Sequence, residues 1–220
     1  MNGIIDIMFD FVSIIVVLVI VFLSIILHEI AHGFVSYLIG DDTAKMSGRL
    51  TLNPISHIDP FMTILLPVTL ALIGAPVMGG AKPVPIDPSR FRYKFNEWGL
   101  LLVAIAGPLT NLLIAFVAFG ITVLTNNGPS ISTLGSVLWM ILGINLNLFV
   151  FNMLPIPPLD GSRILYTLAP DFVRGFLDQV EQYGVILLLL LITLGGSTFG
   201  QFIGFVTNFV LMVFAGIFGV

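Results

Sequence analysis

A chain of 220 residues of which 57% are hydrophobic and only 9% charged lies far from the roughly one-quarter charged content of a soluble domain, so lipid must surround most of it. Eight basic and twelve acidic residues leave a net charge of -4 with no basic tract, which excludes nucleic acid as a partner. Cysteine is absent, which excludes a disulfide framework and any thiolate metal site and leaves His, Asp and Glu as the metal ligands on offer.

Apolar runs cover residues 11–39, 61–80, 98–125, 134–154, 183–194 and 199–220, several of them reaching the roughly 20 residues that a helix needs to cross the hydrocarbon core. They predict an all-α polytopic membrane protein, one integral membrane domain over 1–220 with no soluble appendage, a core at about 11–168 and peripheral C-terminal helices at about 183–220. Asp6 and Asp10 stand where a signal peptide carries positive charge, and no small-residue cleavage site follows, so the first helix is expected to be retained.

Every Lys and Arg follows one of three runs: Lys45 and Arg49 the first, Lys82, Arg90, Arg92 and Lys94 the second, Arg163 and Arg174 the fourth. Six full crossings would place the second group opposite the first, against the tendency of basic residues to stay cytoplasmic. The 61–80 run contains Pro67, Gly74, Pro76, Gly79 and Gly80, which break a straight helix and suit a re-entrant hairpin. The expectation is therefore five transmembrane helices plus a re-entrant element in the cell membrane, the N-terminus outside, the basic loops and the C-terminus cytoplasmic. Residues 48–53 alternate as a short strand does, and prolines alternate through 81–86, which forbids helix and suits an extended edge; both predict a small strand region near the membrane surface.

Chemistry enters near the end of the first run, where His28-Glu29-Ile30-Ala31-His32 follows an uncharged stretch from Ile14 to Leu27. On a helix His28 and His32 share one face a turn apart and can converge on a metal ion, while Glu29 is placed to act as a base. In a soluble helix such a run can be a solvated polar face. Inside a bilayer ionisable groups are costly unless paired, metal-bound or facing water, which favours the metal.

A third ligand is needed. Asp160 closes Asn152-Met153-Leu154-Pro155-Ile156-Pro157-Pro158-Leu159-Asp160-Gly161, where prolines end a helix and Gly161 permits an unusual backbone angle. Spacing alone leaves two readings, a turn folded back to the metal or a surface aspartate capping the next helix. A different class of membrane protease with this motif would draw its third ligand from Glu97 or Glu181, and a transporter or channel could use the same polar cluster as an ion path. Metal content and loss of cleavage in Glu29→Gln separate an enzyme from a transporter.

The first motif, then Ala106-Gly107-Pro108-Leu109-Thr110-Asn111, then Asn152 through Gly161, in that order and spacing, resemble the site-2 protease family of intramembrane zinc metalloproteases. The resemblance runs from residue 11 to about 168, in the compact form without PDZ or CBS domains. It implies one zinc ion per chain held by His28, His32 and Asp160, with Glu29 as the catalytic glutamate. It further implies an endopeptidase acting in the lipid bilayer on transmembrane protein substrates. Asn152 is the first choice for an oxyanion donor, with an interhelical hydrogen bond or C-terminal cap as its other reading. His57 is a second auxiliary candidate if the 61–80 run folds it toward the zinc, and a plain surface residue otherwise. Asn53 could assist it or form an Asx turn before Pro54, and Asn111 reads as an interhelical hydrogen-bonding residue. Residues 48–53 and 81–86 could receive an unwound substrate as an added strand.

Overall fold

The computed structural model describes residues 2–74, 79–95, 98–126, 128 and 132–220, with side chains from residue 12 onward. Glu97 and Pro76 thus lie outside the described residues.

Helix α1 (Asn2–Ile39) opens the chain and stops at Gly40, whose φ of +122° no ordinary L residue adopts readily; a Cβ there would also crowd the Arg90 carbonyl at 3.0 Å. The short α2 (Thr43–Met46) and a 3-10 turn (Pro54–His57) follow, the latter capped by Asn53 accepting the Ile55 N–H, which makes Asn53 an Asx turn. Asp59 caps a wide π turn (Pro60–Leu65) that runs into α3 (Leu66–Leu72). The remaining helices are α4 (Gly99–Leu124), α5 (Thr133–Asn152), α6 (Asp160–Leu168), α7 (Asp171–Glu181) and α8 (Gly184–Phe218).

Among the described residues four helices are long and apolar enough to cross a membrane: α1 from Val12, α4, α5 and α8. Five were expected. The difference arises at the C-terminus, where the 183–194 and 199–220 runs join as one element broken at Gly196 (φ 44°, ψ -125°). The apolar helix Pro60–Leu72 measures about 20 Å at 1.5 Å per residue, short of the roughly 30 Å hydrocarbon thickness.

Helix α4 is central, packed on both α1 and α5. Ala115, Ala118 and Gly120 let its neighbours approach closely, and Phe119, Leu138, Leu142, Leu146 and Phe214 fill the resulting core. In α8 the aromatic residues divide: Phe214 and Phe218 stack against Phe116 and Phe119, whereas Phe202, Phe205 and Phe209 are exposed, as lipid-facing residues are.

Contacts along α8 fix its direction. Leu188 packs with Leu154 and Leu159, Phe199 with Phe151, and Phe218 against Gly120 near the end of α4. The C-terminus thus stands beside the α4–α5 connection, at the opposite end of the bundle from the basic residues with which the sequence grouped it.

No strand forms among the described residues. The reason lies in the donors of the 81–87 segment. Pro83 and Pro85 have none. The N–H groups of Lys82, Val84 and Asp87 go to three separate acceptors, the His57 carbonyl (2.9 Å), the Glu29 carboxylate (2.9 Å) and the Asp41 carboxylate (2.8 Å), so no ladder can run along them. The 48–53 segment likewise bends at Gly48 (φ +65°) and presses Leu50 toward α1, where Gly33 leaves room for Leu50 and Val84.

Candidate metal centre

Three side chains from two distant parts of the chain converge at the cytoplasm-predicted end of the bundle. His28 and His32 project from one face of α1, and Asp160 begins α6 after the proline-rich turn that ends α5. The two His Nε2 atoms are 3.0 Å apart, and Asp160 Oδ2 lies 3.1 Å from His28 Nε2 and 3.4 Å from His32 Nε2. Asp160 is therefore no surface cap; its carboxylate faces the two imidazoles. Gly161 serves this by close approach and not by an unusual φ. A Cβ there would sit 2.3 Å from the Leu154 carbonyl oxygen, so only glycine lets α6 tuck under the end of α5.

The histidine tautomers can be derived from their partners. His32 Nδ1 lies 2.6 Å from the Val103 carbonyl, which can only accept, so Nδ1 carries the proton and Nε2 presents a lone pair. His28 Nδ1 lies 2.6 Å from Asn111 Oδ1 and is assigned the same way. Two bare nitrogens and a buried carboxylate oxygen that has no hydrogen-bond partner thus point at one another. Without a cation between them this is repulsive. Tetrahedral zinc with bonds of about 2.0–2.1 Å holds its ligand atoms about 3.3 Å apart, and the observed separations bracket that spacing. The second-sphere pattern, each His giving its far N–H to an oxygen, is the one that metal-binding histidines require. The donor set fits zinc.

Gly107 makes the space. A Cβ at that position would lie 2.3 Å from His32 Nε2 and 2.6 Å from His28 Nε2, so α4 crosses the histidine face with a bare backbone. In the sequence Gly107 stood as part of the Ala106–Asn111 motif, without its contact to the imidazoles.

A cavity of about 510 Å³ opens on the group, lined by Glu29, Asn152, Pro158 and Arg163 and by the extended Pro83–Ile86 segment. Glu29 Oε2 accepts the Val84 N–H at 2.9 Å. Asn152 donates one amide hydrogen to the Leu148 carbonyl (2.9 Å) and so bonds within its own helix while facing the cavity. His57 is fully buried and absent from the cavity wall; its Nε2 bonds the Thr51 carbonyl at 2.8 Å. Glu181 is exposed on α7 and pairs with Arg163 at 3.7 Å, apart from the metal group.

Asn145, Ser24 and Asp41 escaped the sequence reading, and Asn111 was read only in part. Asn111 was expected to bond between helices, and does so, but its partner is His28 itself; behind it stand Asn145 and Ser24. Asn145 sits within an apolar run, and the cost of an amide there was the available signal. Asp41, just past α1, accepts from Ser36, Thr43 and Asp87 and fastens the 81–87 segment to the end of α1.

Comparison with known proteins agrees with this geometry. The model of peptidase family M50 matches residues 16–134 and 125–195. YwhC of Bacillus subtilis, named as a candidate zinc metalloprotease, is 41% identical over 206 residues, covering 89% of each chain. Two proteins called Rip2, named in the same way, are also similar. That of Mycolicibacterium smegmatis is 33% identical over 174 residues (78% of this chain, 64% of its own), and that of Mycobacterium tuberculosis is 30% identical over 190 residues (80% and 67%). No solved structure matches.

Proposed function

The chain belongs to peptidase family M50, the site-2 proteases, and is a zinc metalloendopeptidase of the membrane; from that premise we propose that it hydrolyses peptide bonds in or beside the transmembrane segments of membrane proteins. The observation that carries this reading is the convergence of two lone-pair Nε2 atoms and one unpartnered carboxylate oxygen at the level of an apolar helix. His28, His32 and Asp160 would hold the metal, and zinc there would supply an acidified water molecule and polarisation of the scissile carbonyl.

The chain's own residues do the rest. Glu29 takes the proton of the attacking water and passes it to the leaving amide nitrogen. Asn152, with one N–H on Leu148, has a second for the developing oxyanion. A transmembrane substrate must unwind first, because its peptide groups are internally hydrogen-bonded. The Pro83–Ile86 segment on the cavity wall supplies carbonyl oxygens along which an unwound strand can lie. His57 acts at one remove, its carbonyl holding Lys82 and thereby this segment.

In the cell membrane the same reading gives four crossings, the N-terminus outside, the basic loops cytoplasmic and Pro60–Leu72 re-entrant. The test is reconstitution with a single-span substrate: the wild type should contain one zinc per chain and cleave. Glu29→Gln should keep zinc and lose activity by about 10²–10⁴-fold. Cleavage by Glu29→Gln, or a zinc-free active wild type, would overturn the assignment.

A further inference from the structure

Behind His28 a file of buried polar groups crosses three helices. Asn111 on α4 and Asn145 on α5 are both fully buried, and Ser24 lies one turn before His28 on α1. Asn111 Nδ2 lies 2.9 Å from Asn145 Oδ1, and Asn145 Nδ2 lies 2.9 Å from both Ser24 Oγ and the Ile141 carbonyl. Amides in the apolar interior are costly, and packing alone would be met by leucine. The far end of the file, Asn145, has its hydrogen bonds among the described residues with Asn111, Ser24 and Ile141, none of which holds the metal or moves the proton.

The direction of each bond follows from the Ile141 carbonyl, 2.9 Å from the Asn145 nitrogen, and the Ser24 carbonyl, at 3.5 Å from the Asn111 nitrogen, adds a longer contact in the same sense. The Ile141 carbonyl can only accept, so the Asn145 nitrogen must face it and the Asn145 oxygen must face Asn111. Asn111 then turns its nitrogen to Asn145 and its oxygen to His28 Nδ1. That oxygen demands a proton on Nδ1 and so leaves Nε2 bare. Were the Asn111 amide reversed, its N–H would meet His28 Nδ1, which would have to accept, and the proton would move to Nε2, the atom that faces Asp160.

We propose that Asn145 is a positioning residue that, through Asn111, fixes the tautomer of His28 and thereby sets the chain's affinity for zinc, with Ser24 anchoring the file to the catalytic helix. This rests on His28 being a zinc ligand. Its consequence is that α5 contributes to the metal centre twice, from its end through the Asp160 turn and from its middle through an amide two residue contacts away.

The experiment uses the full chain in detergent or nanodiscs at fixed pH, with zinc affinity measured by chelator competition. Asn145→Leu should weaken zinc binding by about 10–100-fold, the range for loss of a ligand's supporting hydrogen bond. Asn145→Thr should restore it. Threonines in this protein already donate to the carbonyl four residues back, as Thr110 and Thr122 do, and such a hydroxyl keeps a lone pair for Asn111. Leu142→Ala opens the same α4–α5 interface off the file and should leave affinity unchanged. Ring-nitrogen resonances of the metal-free protein give the second readout, His28 protonated at Nδ1 in the wild type and at Nε2 in Asn145→Leu. Should Asn145→Leu not fold, Asn145→Ala takes its place with the same expectation. Wild-type affinity in the apolar variants overturns the proposal, as does an equal loss in Leu142→Ala. A wild type that binds no zinc sinks the metal centre itself, which is a separate outcome.

Discussion

Gly107→Ala adds a single methyl group where α4 crosses the two imidazoles. The added carbon would stand 2.3 Å from His32 Nε2 and 2.6 Å from His28 Nε2, against about 3.4 Å for ordinary contact, so the ligands must retreat by about 1 Å. Zinc sites hold their distances to about 0.2 Å, so this displacement should cost more than the 10–100-fold that follows loss of a supporting hydrogen bond. Catalysis should fall by about 10²-fold or more from misplacement alone. The helix responds in the opposite sense. Alanine is about 1 kcal/mol better than glycine inside a helix, so the metal-free variant should not lose helicity. Circular dichroism and size-exclusion of the metal-free chain, set beside zinc content after dialysis against a weak chelator, separate the two effects. Retention of wild-type zinc affinity by a folded Gly107→Ala chain would refute the placement of the metal beneath α4.

Further expectations concern the third ligand, acid stability and sidedness. Asp160→Ala should abolish zinc retention while Glu181→Ala keeps one zinc per chain by metal analysis, since Glu181 pairs with Arg163 at the surface. Burial of Asp41 opposes its ionisation, but Thr43, the Asp87 N–H and Ser36 outweigh it and hold the carboxyl below its ordinary value. Its stabilisation is complete above the unfolded pKa of about 3.9 and is lost as pH falls through the lower folded value. Asp41→Asn should therefore be less stable at neutral pH and lose that acid dependence, as followed by thermal denaturation from about pH 3 to 7. A C-terminal reporter should map outside and one in the Lys82–Lys94 loop inside; a cytoplasmic C-terminus would require a fifth crossing within α8.

Much of the site was legible because it rests on helical periodicity and on a chemically costly choice of residue. His28 and His32 must share a face if α1 is a helix, and charged or titratable groups in an apolar run demand a use. Spacing left Asp160 as one of two readings, because it does not say whether a turn points inward, and the family resemblance alone favoured the metal. The physical reason is tertiary: α6 tucks under α5, and Gly161 permits the approach. The strand expectation failed for a reason present in the sequence but not decisive there. Prolines remove alternate donors, and the N–H groups of Lys82, Val84 and Asp87 go to the His57 carbonyl, to Glu29 on α1 and to Asp41 just past it, acceptors that only the fold brings near. Periodicity was also silent on whether two apolar runs separated by Gly195 and Gly196 form two helices or one broken helix, and the predicted position of the C-terminus hung on that choice.

The hydrogen bond from Val84 to Glu29 has a bearing on how the resting enzyme protects itself. A carboxylate one residue from a zinc ligand could swing inward and occupy the coordination position that water needs. Glu29 Oε2 is already committed to the peptide N–H of a segment that is itself fastened by Asp41. In the proposed mechanism the second oxygen is the one free to meet the water, so Glu29 would work as a one-handed base on a short tether, near enough to take a proton and held back from becoming a ligand.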